Sequence, residues 1–354
     1  MPQCSMSSSI PQSMKAWQFS QTTGGIERNL KLKASASLPP NANALGLDEI
    51  LVQVISTSLN PVDYKIAELP LLGRLTIGAP ASPGLDFAGR VVLAGHDSGK
   101  ISSENLGPGR LVFGRLDNPT KFGTLAEYVI VSRNGCVPLP EGVSPEDAAC
   151  IGTAGLTAYQ SLVPYLKSGN RVFVNGGSGG TGVFMIQIAK LLGCYVITSC
   201  SGVNVELCKS LGADEVIDYK RSNVVTALKE MEYVDHIVDN VGTPRELYWK
   251  AHEFSRKGTT FVQVGTSPSF ATVYEILCRM LWPAILRGGK RRFQLLIVKT
   301  EPEGLGKIAA WIQQGKLKAV IDEVFEMEDN GPVRAFEKLK TGRARGKMIV
   351  RVAS

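Results

Sequence analysis

Histidine is scarce in this chain. Three occur in 354 residues, His96, His236 and His252, widely dispersed. Seven cysteines are present, yet none form Cys-x-x-Cys and none lies between Cys4 and Cys136. A zinc site needs thiolates, imidazoles or carboxylates that converge tetrahedrally, so these gaps lead us to expect no metal. An odd number of irregularly spaced cysteines excludes a disulfide framework and favours a reducing compartment. No Lys or Arg precedes Lys15, whereas a transit peptide is Arg-rich and a signal peptide starts basic. No apolar run reaches the roughly 18 residues of a spanning helix. The most apolar stretch, residues 276–286, is interrupted by Arg279 and Pro283. A cytoplasmic protein without a transmembrane segment is expected. Also missing is a strong concentration of one charge. The net charge of +7 is spread along the chain, which suits a small anionic ligand and gives no reason to invoke nucleic acid. The one dense group, Arg287, Lys290, Arg291 and Arg292, reads first as a solvated loop.

Glycine is plentiful, with 37 residues, and its most informative placement is Arg171-Val-Phe-Val-Asn-Gly-Gly-Ser-Gly-Gly-Thr-Gly182. Gly177, Gly179 and Gly182 fit G-x-G-x-x-G, with Ser178, Gly180 and Thr181 completing the loop. One glycine makes the tight turn, one lets backbone approach a pyrophosphate, and one lets helix and strand pack closely. A Gly-rich turn could match this spacing by accident. Here a β-branched run enters it, and an amphipathic helix with Val183, Ile186, Ile188, Leu191 and Leu192 leaves it. Such a helix offers free N–H groups and a positive dipole end to phosphates. A dinucleotide site is expected.

From residue 171 onward, strand-like runs at 171–175, 195–200, 215–219, 236–241, 259–265 and 293–299 alternate with helical patterns. That order predicts βαβ units and a doubly wound fold with a six-stranded parallel sheet. Residues 14–140 have another texture: short strand candidates at 49–56, 89–94, 110–113 and 125–131 between Pro, Gly and Asn clusters, a β-rich domain. Residues 145–166 read as a joining helix. After residue 299 come a helix (303–314), a strand (320–327), a helix (331–341) and a strand (347–352), which return to the first domain. The expected division is 1–141, 142–299 and 300–354.

These pieces carry a resemblance. Ser58-Leu-Asn-Pro-Val-Asp-Tyr-Lys65, Pro83-Gly-Leu-Asp-Phe-Ala-Gly89, Gly107-Pro-Gly-Arg-Leu-Val-Phe-Gly114, Gly123-Thr-Leu-Ala-Glu-Tyr128, Thr153-Ala-Gly-Leu-Thr-Ala158, Leu211-Gly-Ala-Asp-Glu-Val-Ile-Asp-Tyr219 and Gly346-Lys-Met-Ile-Val350 occur in this order around the glycine loop. The chain resembles the medium-chain dehydrogenase/reductase superfamily, in its zinc-independent quinone oxidoreductase and enoyl reductase branch. The resemblance implies a split GroES-like domain, a Rossmann domain and an active-site cleft between them. Zinc-dependent relatives carry a catalytic Cys, a Gly-His-Glu segment and a four-Cys lobe. The Gly-His-Glu position here reads Gly84-Leu85-Asp86.

NAD enzymes usually place an acid at the end of the second strand for the ribose 2′-OH. Here Thr198-Ser-Cys-Ser-Gly-Val-Asn204 contains no acid. Ser201 and Asn204 could donate to a 2′-phosphate, with Lys209 and Lys220 nearby, so the expected cofactor is NADPH. The resemblance implies a cofactor contact at Thr157, an adenine-ribose or phosphate contact at Tyr219 and a late contact at Lys347. Asn240, Val241, Val264, Gly265 and Thr266 end the fourth and fifth strands, where the nicotinamide half would lie. The implied chemistry is metal-free hydride transfer to an α,β-unsaturated carbonyl, an enoyl thioester or a quinone. Asn60, Asp63, Tyr64 and Lys65 are the candidates to line that site. Tyr64 could donate a proton and Lys65 could stabilise an enolate oxygen. Asn60-Pro61 also reads as a turn, and Asp63 as a cap.

Two other classes share such a fold: a cofactor-binding regulatory protein, and a redox-neutral isomerase or cyclase. For partners, a free or carrier-bound unsaturated substrate is expected. An acidic acyl carrier protein would meet the Arg287–Arg292 cluster, and the apolar strand at 293–299 would serve a homodimer.

Overall fold

Alternating apolar and polar residues between Gly- and Pro-rich turns build the first sheets. The computed structural model describes residues 10–69, 72–96, 106–264, 270–281 and 289–353. Strands β1 (Ser13–Gln18) and β2 (Lys31–Ser37) form an antiparallel pair. Then come β3 (Glu49–Leu59), helices α1 (Pro61–Lys65) and α2 (Leu72–Ile77), β4 (Asp86–Ala94), β5 (Leu111–Arg115), β6 (Tyr128–Ser132) and β7 (Cys136–Pro138). The long β3 holds β4 antiparallel on one edge; β6 pairs along the other edge at residues 49–53.

The second half alternates strand and helix. Helices α3 (Pro145–Ala149) and α4 (Leu156–Leu162) lead into β8 (Arg171–Asn175) and α5 (Gly182–Leu191). There follow β9 (Tyr195–Cys200), α6 (Val205–Ser210), β10 (Glu215–Asp218), α7 (Val224–Lys229), β11 (Val234–Asp239), α8 (Glu246–Trp249), β12 (Ser255–Gln263), α9 (Phe270–Leu281) and β13 (Arg292–Leu295). These six strands form one sheet in the order β10-β9-β8-β11-β12-β13, all pairs parallel. A parallel sheet covered on both faces buries successive residues on opposite sides. Val172 and Val174 feed one core, and Phe173 between them feeds another with Ile197, Ile237 and Phe261.

The chain then crosses back. Helix α10 (Pro302–Gln313), β14 (Ile321–Glu326), α11 (Gly331–Lys340) and β15 (Lys347–Arg351) follow, and β15 pairs antiparallel with β3 at residues 56–59. The last strands therefore join the first sheet. The larger core runs through both halves, from Phe113 and Ile349 to Val174 and Val238.

Three details differ from the sequence reading. β1, β2 and β7 were not among the expected strands; β2 is exposed at six of its seven positions, so no apolar alternation marks it, and β7 has three residues. The helix expected at 145–166 is interrupted by a π-turn at Ile151–Gly155. The wide turn frees the Thr153 N–H, which donates to Asp86 Oδ1 at 2.7 Å. The strand expected at 293–299 ends at Leu295, because Gln160 on α4 captures Lys299 through both its carbonyl (2.7 Å) and its N–H (3.0 Å). Helix α9 is turned against the usual rule. Glu275 and Arg279 point inward, with Arg279 bonded to Gln263 at 2.7 Å, while Val273, Tyr274, Leu277, Met280 and Leu281 are exposed.

Candidate coenzyme crevice and polar cluster

The strand order reverses between β8 and β11, and in doubly wound sheets a crevice opens at the carboxyl ends there. Its floor is fixed by buried side chains. Ser199 Oγ donates to Asn175 Oδ1 at 2.6 Å, and Asn175 Nδ2 donates to Asp239 Oδ1 at 2.8 Å and to the Thr243 carbonyl at 2.7 Å. Asp239 also accepts the N–H groups of Val241 (3.0 Å) and Gly242 (2.9 Å). Burial raises its pKa, and these bonds oppose the rise. This chain across β9, β8 and β11 escaped the sequence reading, since its members are ordinary strand residues until the sheet joins them.

The glycines have distinct roles. A Cβ on Gly177 would lie 2.0 Å from Thr198 Oγ1, and one on Gly182 would lie 2.2 Å from the Gly176 carbonyl. A Cβ on Gly179 would find no atom nearer than 3.8 Å, so its outer side is open, the cradle a phosphate needs. Ser178 and Thr181 sit within the loop. Gly180 lies against Lys347, whose Cδ would be 3.0 Å from an added Cβ. The Gly346 N–H donates to the Ser178 carbonyl at 3.1 Å, tying the loop to the return segment.

Asn204 is buried beside the glycine loop. Its Nδ2 donates to Ser178 Oγ (3.1 Å) and Ser201 Oγ (3.3 Å), so its donors stitch the loop together. Its Oδ1 and that of Asn240 are buried without a protein partner, two orphaned acceptors in a polar crevice. Tyr219 is 55% exposed beyond β10 and Val241 is 47% exposed, both open to a ligand. Val264 is half-buried after β12, and Thr157 is buried on α4. Gly265 and Thr266 lie outside the described residues, as does Arg287.

Beneath the loop lies a buried polar cluster. Asp86 Oδ1 accepts from Thr153 N and Oγ1 (2.7 and 2.6 Å), and its Oδ2 accepts from Asn60 Nδ2 at 2.8 Å. Lys347 Nζ donates to Asn60 Oδ1 and to the Leu59 carbonyl, 3.8 Å from Asp86 Oδ2. The Lys347 ammonium reaches under the loop, 2% exposed, and balances a buried carboxylate. Gly152 admits this arrangement, since a Cβ there would meet Asp86 Oδ1 at 2.4 Å. Asp63 closes a capping box on α1: its Oδ2 accepts the Asn60 N–H at 2.6 Å. Its Oδ1 has no partner and, with Ser82, borders a small cavity lined by Phe19, Ile77 and Leu85. Burial and then the neighbouring Asp86 push the Asp63 pKa up to about 8.

Tyr64 and Lys65 continue α1 beyond Asp63. The Tyr64 ring packs 5.1 Å beneath the ammonium of Lys340, which is paired with Glu27 and Glu68. Burial raises the Tyr64 pKa and lowers that of Lys65. Of the basic group, Arg291 is turned inward onto Ser255 Oγ (2.9 Å) and the Ser255 carbonyl (2.6 Å).

Comparison with known proteins agrees with this geometry. Residues 46–141 match a family model described as alcohol dehydrogenase GroES-like domain, and residues 211–350 one described as zinc-binding dehydrogenase. Trans-enoyl reductase pgmF of Aspergillus terreus is 53% identical over 352 residues, covering 98% of this chain and 98% of its own length. The chain belongs to the medium-chain dehydrogenase/reductase superfamily. Within this superfamily, 2-methylene-furan-3-one reductase of Solanum lycopersicum is 32% identical over 98% of this chain and 81% of its own. The solved quinone oxidoreductase from Coxiella burnetii superposes with a TM-score of 0.79 at 30% identity, covering 96% of this chain and 99% of that one. The chain is an oxidoreductase of GroES-like plus Rossmann architecture.

The zinc in one family description can be tested against the donors present. Asp86 is saturated by Thr153 and Asn60, and the next groups are an amide and an ammonium. Cys150 is in electrostatic range of Lys347 and Asp86, but burial pushes its thiol well above the ordinary range, so it offers no thiolate. Among the described residues no three His, Cys, Asp or Glu side chains form a metal-holding group. This donor set does not fit zinc. No described helix is long and apolar enough to cross a membrane.

Proposed function

We propose that this oxidoreductase reduces an activated carbon–carbon double bond, in an α,β-unsaturated carbonyl or enoyl thioester, or a quinone, with NADPH and without a metal. The observation that carries the reading is the junction of the two halves: the Gly346 N–H bonds the phosphate loop, and the next residue, Lys347, bonds Asn60. A nucleotide held on that loop lies directly above the polar cluster. The double-bond chemistry is supported by the trans-enoyl reductase and 2-methylene-furan-3-one reductase among the relatives.

When bound, NADPH supplies the hydride. The Gly177–Gly182 loop and the start of α5 would hold the pyrophosphate, Ser201 and Tyr219 the adenosine end, and Asn240, Val241, Val264 and Thr157 the nicotinamide end. Asn60 and Lys347 hold α1 in register with the loop, which is a positioning role. Burial and the neighbouring Asp86 push the Asp63 pKa up to about 8, which opposes a second negative charge in the cluster. Tyr64 keeps its hydroxyl proton, and with Lys65 offers the donor and the cation for the substrate oxygen.

The test is cofactor oxidation followed by absorbance with a quinone, a short enone and an enoyl thioester, each with NADPH and NADH. Turnover of an enone or thioester with NADPH supports the reading, and Lys65→Met should then lower kcat by about 10²-fold. Tight NADPH binding with no turnover of any acceptor, free or carrier-bound, would instead support a regulatory or redox-neutral protein on this fold.

A further inference from the structure

Resting on the reading of Tyr64 as donor to the substrate oxygen, we infer that Lys340 is the positioning residue for that phenol, with Glu27 and Glu68 as its holders. Helix α1 is pinned at its start, where Asp63 accepts the Asn60 N–H. Tyr64 follows at once and is only half-buried, so its ring keeps rotamer freedom unless a neighbour removes it. That neighbour comes from the far end of the chain. Lys340, the last residue of α11, holds its ammonium 5.1 Å from the centroid of the Tyr64 ring, within cation–π range. Glu27, between β1 and β2, takes that ammonium at 2.5 Å, and Glu68, just beyond α1, takes it as well. The three charged side chains are 14–25% exposed. Glu68 is itself fixed: its Oε1 accepts the Ile26 N–H at 2.8 Å, and its own N–H donates to the Tyr64 carbonyl at 2.9 Å.

Two carboxylates on one ammonium hold a flexible side chain in one place, which a single surface pair does poorly. Swinging the ring away would break the cation–π contact, so the hydroxyl at its far end keeps one position. The charged groups facing the phenol are Lys340 on α11, Glu68 past α1 and Glu27 before β2. Burial chiefly, with both carboxylates, raises the Tyr64 pKa, and the ammonium alone lowers it. Lys340 thus keeps the phenol a stronger hydrogen-bond donor than its surroundings would leave it. The return segment that carries Lys340 continues to Gly346, whose N–H bonds the Ser178 carbonyl of the glycine loop. Donor and loop are therefore held by one stretch of chain.

Reduction of an enone or enoyl thioester by NADPH, followed in the full-length wild type, Lys340→Met, Tyr64→Phe and the double variant, tests this. Lys340→Met should lower kcat by about tenfold, part of what a positioned donor contributes, with the KM for NADPH held within about twofold. Lys340→Arg, which keeps a cation at the ring, should restore most of the loss. In the Tyr64→Phe background, itself slowed, Lys340→Met should cost less than about twofold more. Equal losses in both backgrounds, or none in either, overturn the assignment and leave Tyr64 as donor. Tyr64→Phe with the wild-type kcat, or no turnover of any acceptor by the wild type, overturns the donor reading and the assignment together. Urea denaturation reads the contact without turnover: Lys340→Met should raise the unfolding constant about fivefold more in the wild type than in Tyr64→Leu, and equal shifts in both overturn the assignment.

Discussion

At the carboxyl ends of β8 and β9 the ligand-facing surface is backbone: glycines, N–H groups and the start of α5. A few ångströms of chain away, the cluster of Asn60, Asp63, Asp86, Thr153 and Lys347 is built from side chains on four separate segments. The crevice recognises charge with groups that cannot be deleted one at a time. The cluster depends on a balance of buried charges, each of which can be removed by a single substitution. The first region should therefore fail by steric intrusion and the second by electrostatic imbalance.

The largest effect is expected from Lys347→Met. It leaves Asp86 buried without its cation, which costs about 3–5 kcal/mol. Urea denaturation measures this, and Asp86→Asn in the same chain should recover part of it. A Lys347→Met protein of unchanged stability would show that the cluster is not a charge balance.

pH should separate the two halves by the sign of its effect. Asp63 holds its proton to about pH 8 when folded, against 3.8 ordinarily. The folded state thus binds more protons in that window, and stability falls as pH rises through it, by at most about 1.4 kcal/mol per unit. His236 on β11 is buried, with Nε2 2.8 Å from the Ser161 carbonyl, and burial lowers its pKa from 6.5 to about 4. Here the unfolded state binds more protons, so stability falls as pH drops from 6.5 toward 4. Denaturation at pH 4.5, 6 and 8 should show Asp63→Asn removing a downward slope across the whole range and His236→Asn removing an upward slope below about pH 6.5. Swapped effects would contradict both assignments.

Within the loop, Gly182→Ala should cost about 1–3 kcal/mol by forcing backbone apart. Gly179→Ala should change stability by less than about 0.5 kcal/mol yet weaken nucleotide binding. Thermal melts with and without 2′,5′-ADP separate the two outcomes, and equal losses would erase the distinction between packing and ligand-facing glycines. Among the side-chain contacts the smallest effect belongs to the surface tie of Arg351 with Glu146 (2.9 Å) and Glu326 (3.0 Å). Arg351→Ala should cost under about 1 kcal/mol, and a larger loss would mean that the exposed contact between β15 and α3 matters as much as the buried one.

The amino-acid sequence by itself determined the alternation of β8 through β13, the glycine loop and the family, because strand period, loop spacing and helix amphipathicity are local properties. Tyr195–Cys200 and Arg171–Asn175 could be bounded to the residue for that reason. Only the tertiary structure decided which polar groups meet. Lys347 and Asn60 are 287 positions apart, and nothing in either neighbourhood announces the other. Asp218 belongs to β10 in sequence but reaches the β9 loop through strand register. The bond from the Asn204 amide to Ser178 is likewise made only by the folded loop. Hydrogen-bond partners are chosen by proximity after folding, under the demand that buried donors, acceptors and charges be satisfied. That demand acts on the assembled chain, so the glycine loop of the crevice could be read from the sequence, and neither its side-chain floor nor the charge balance beneath it could.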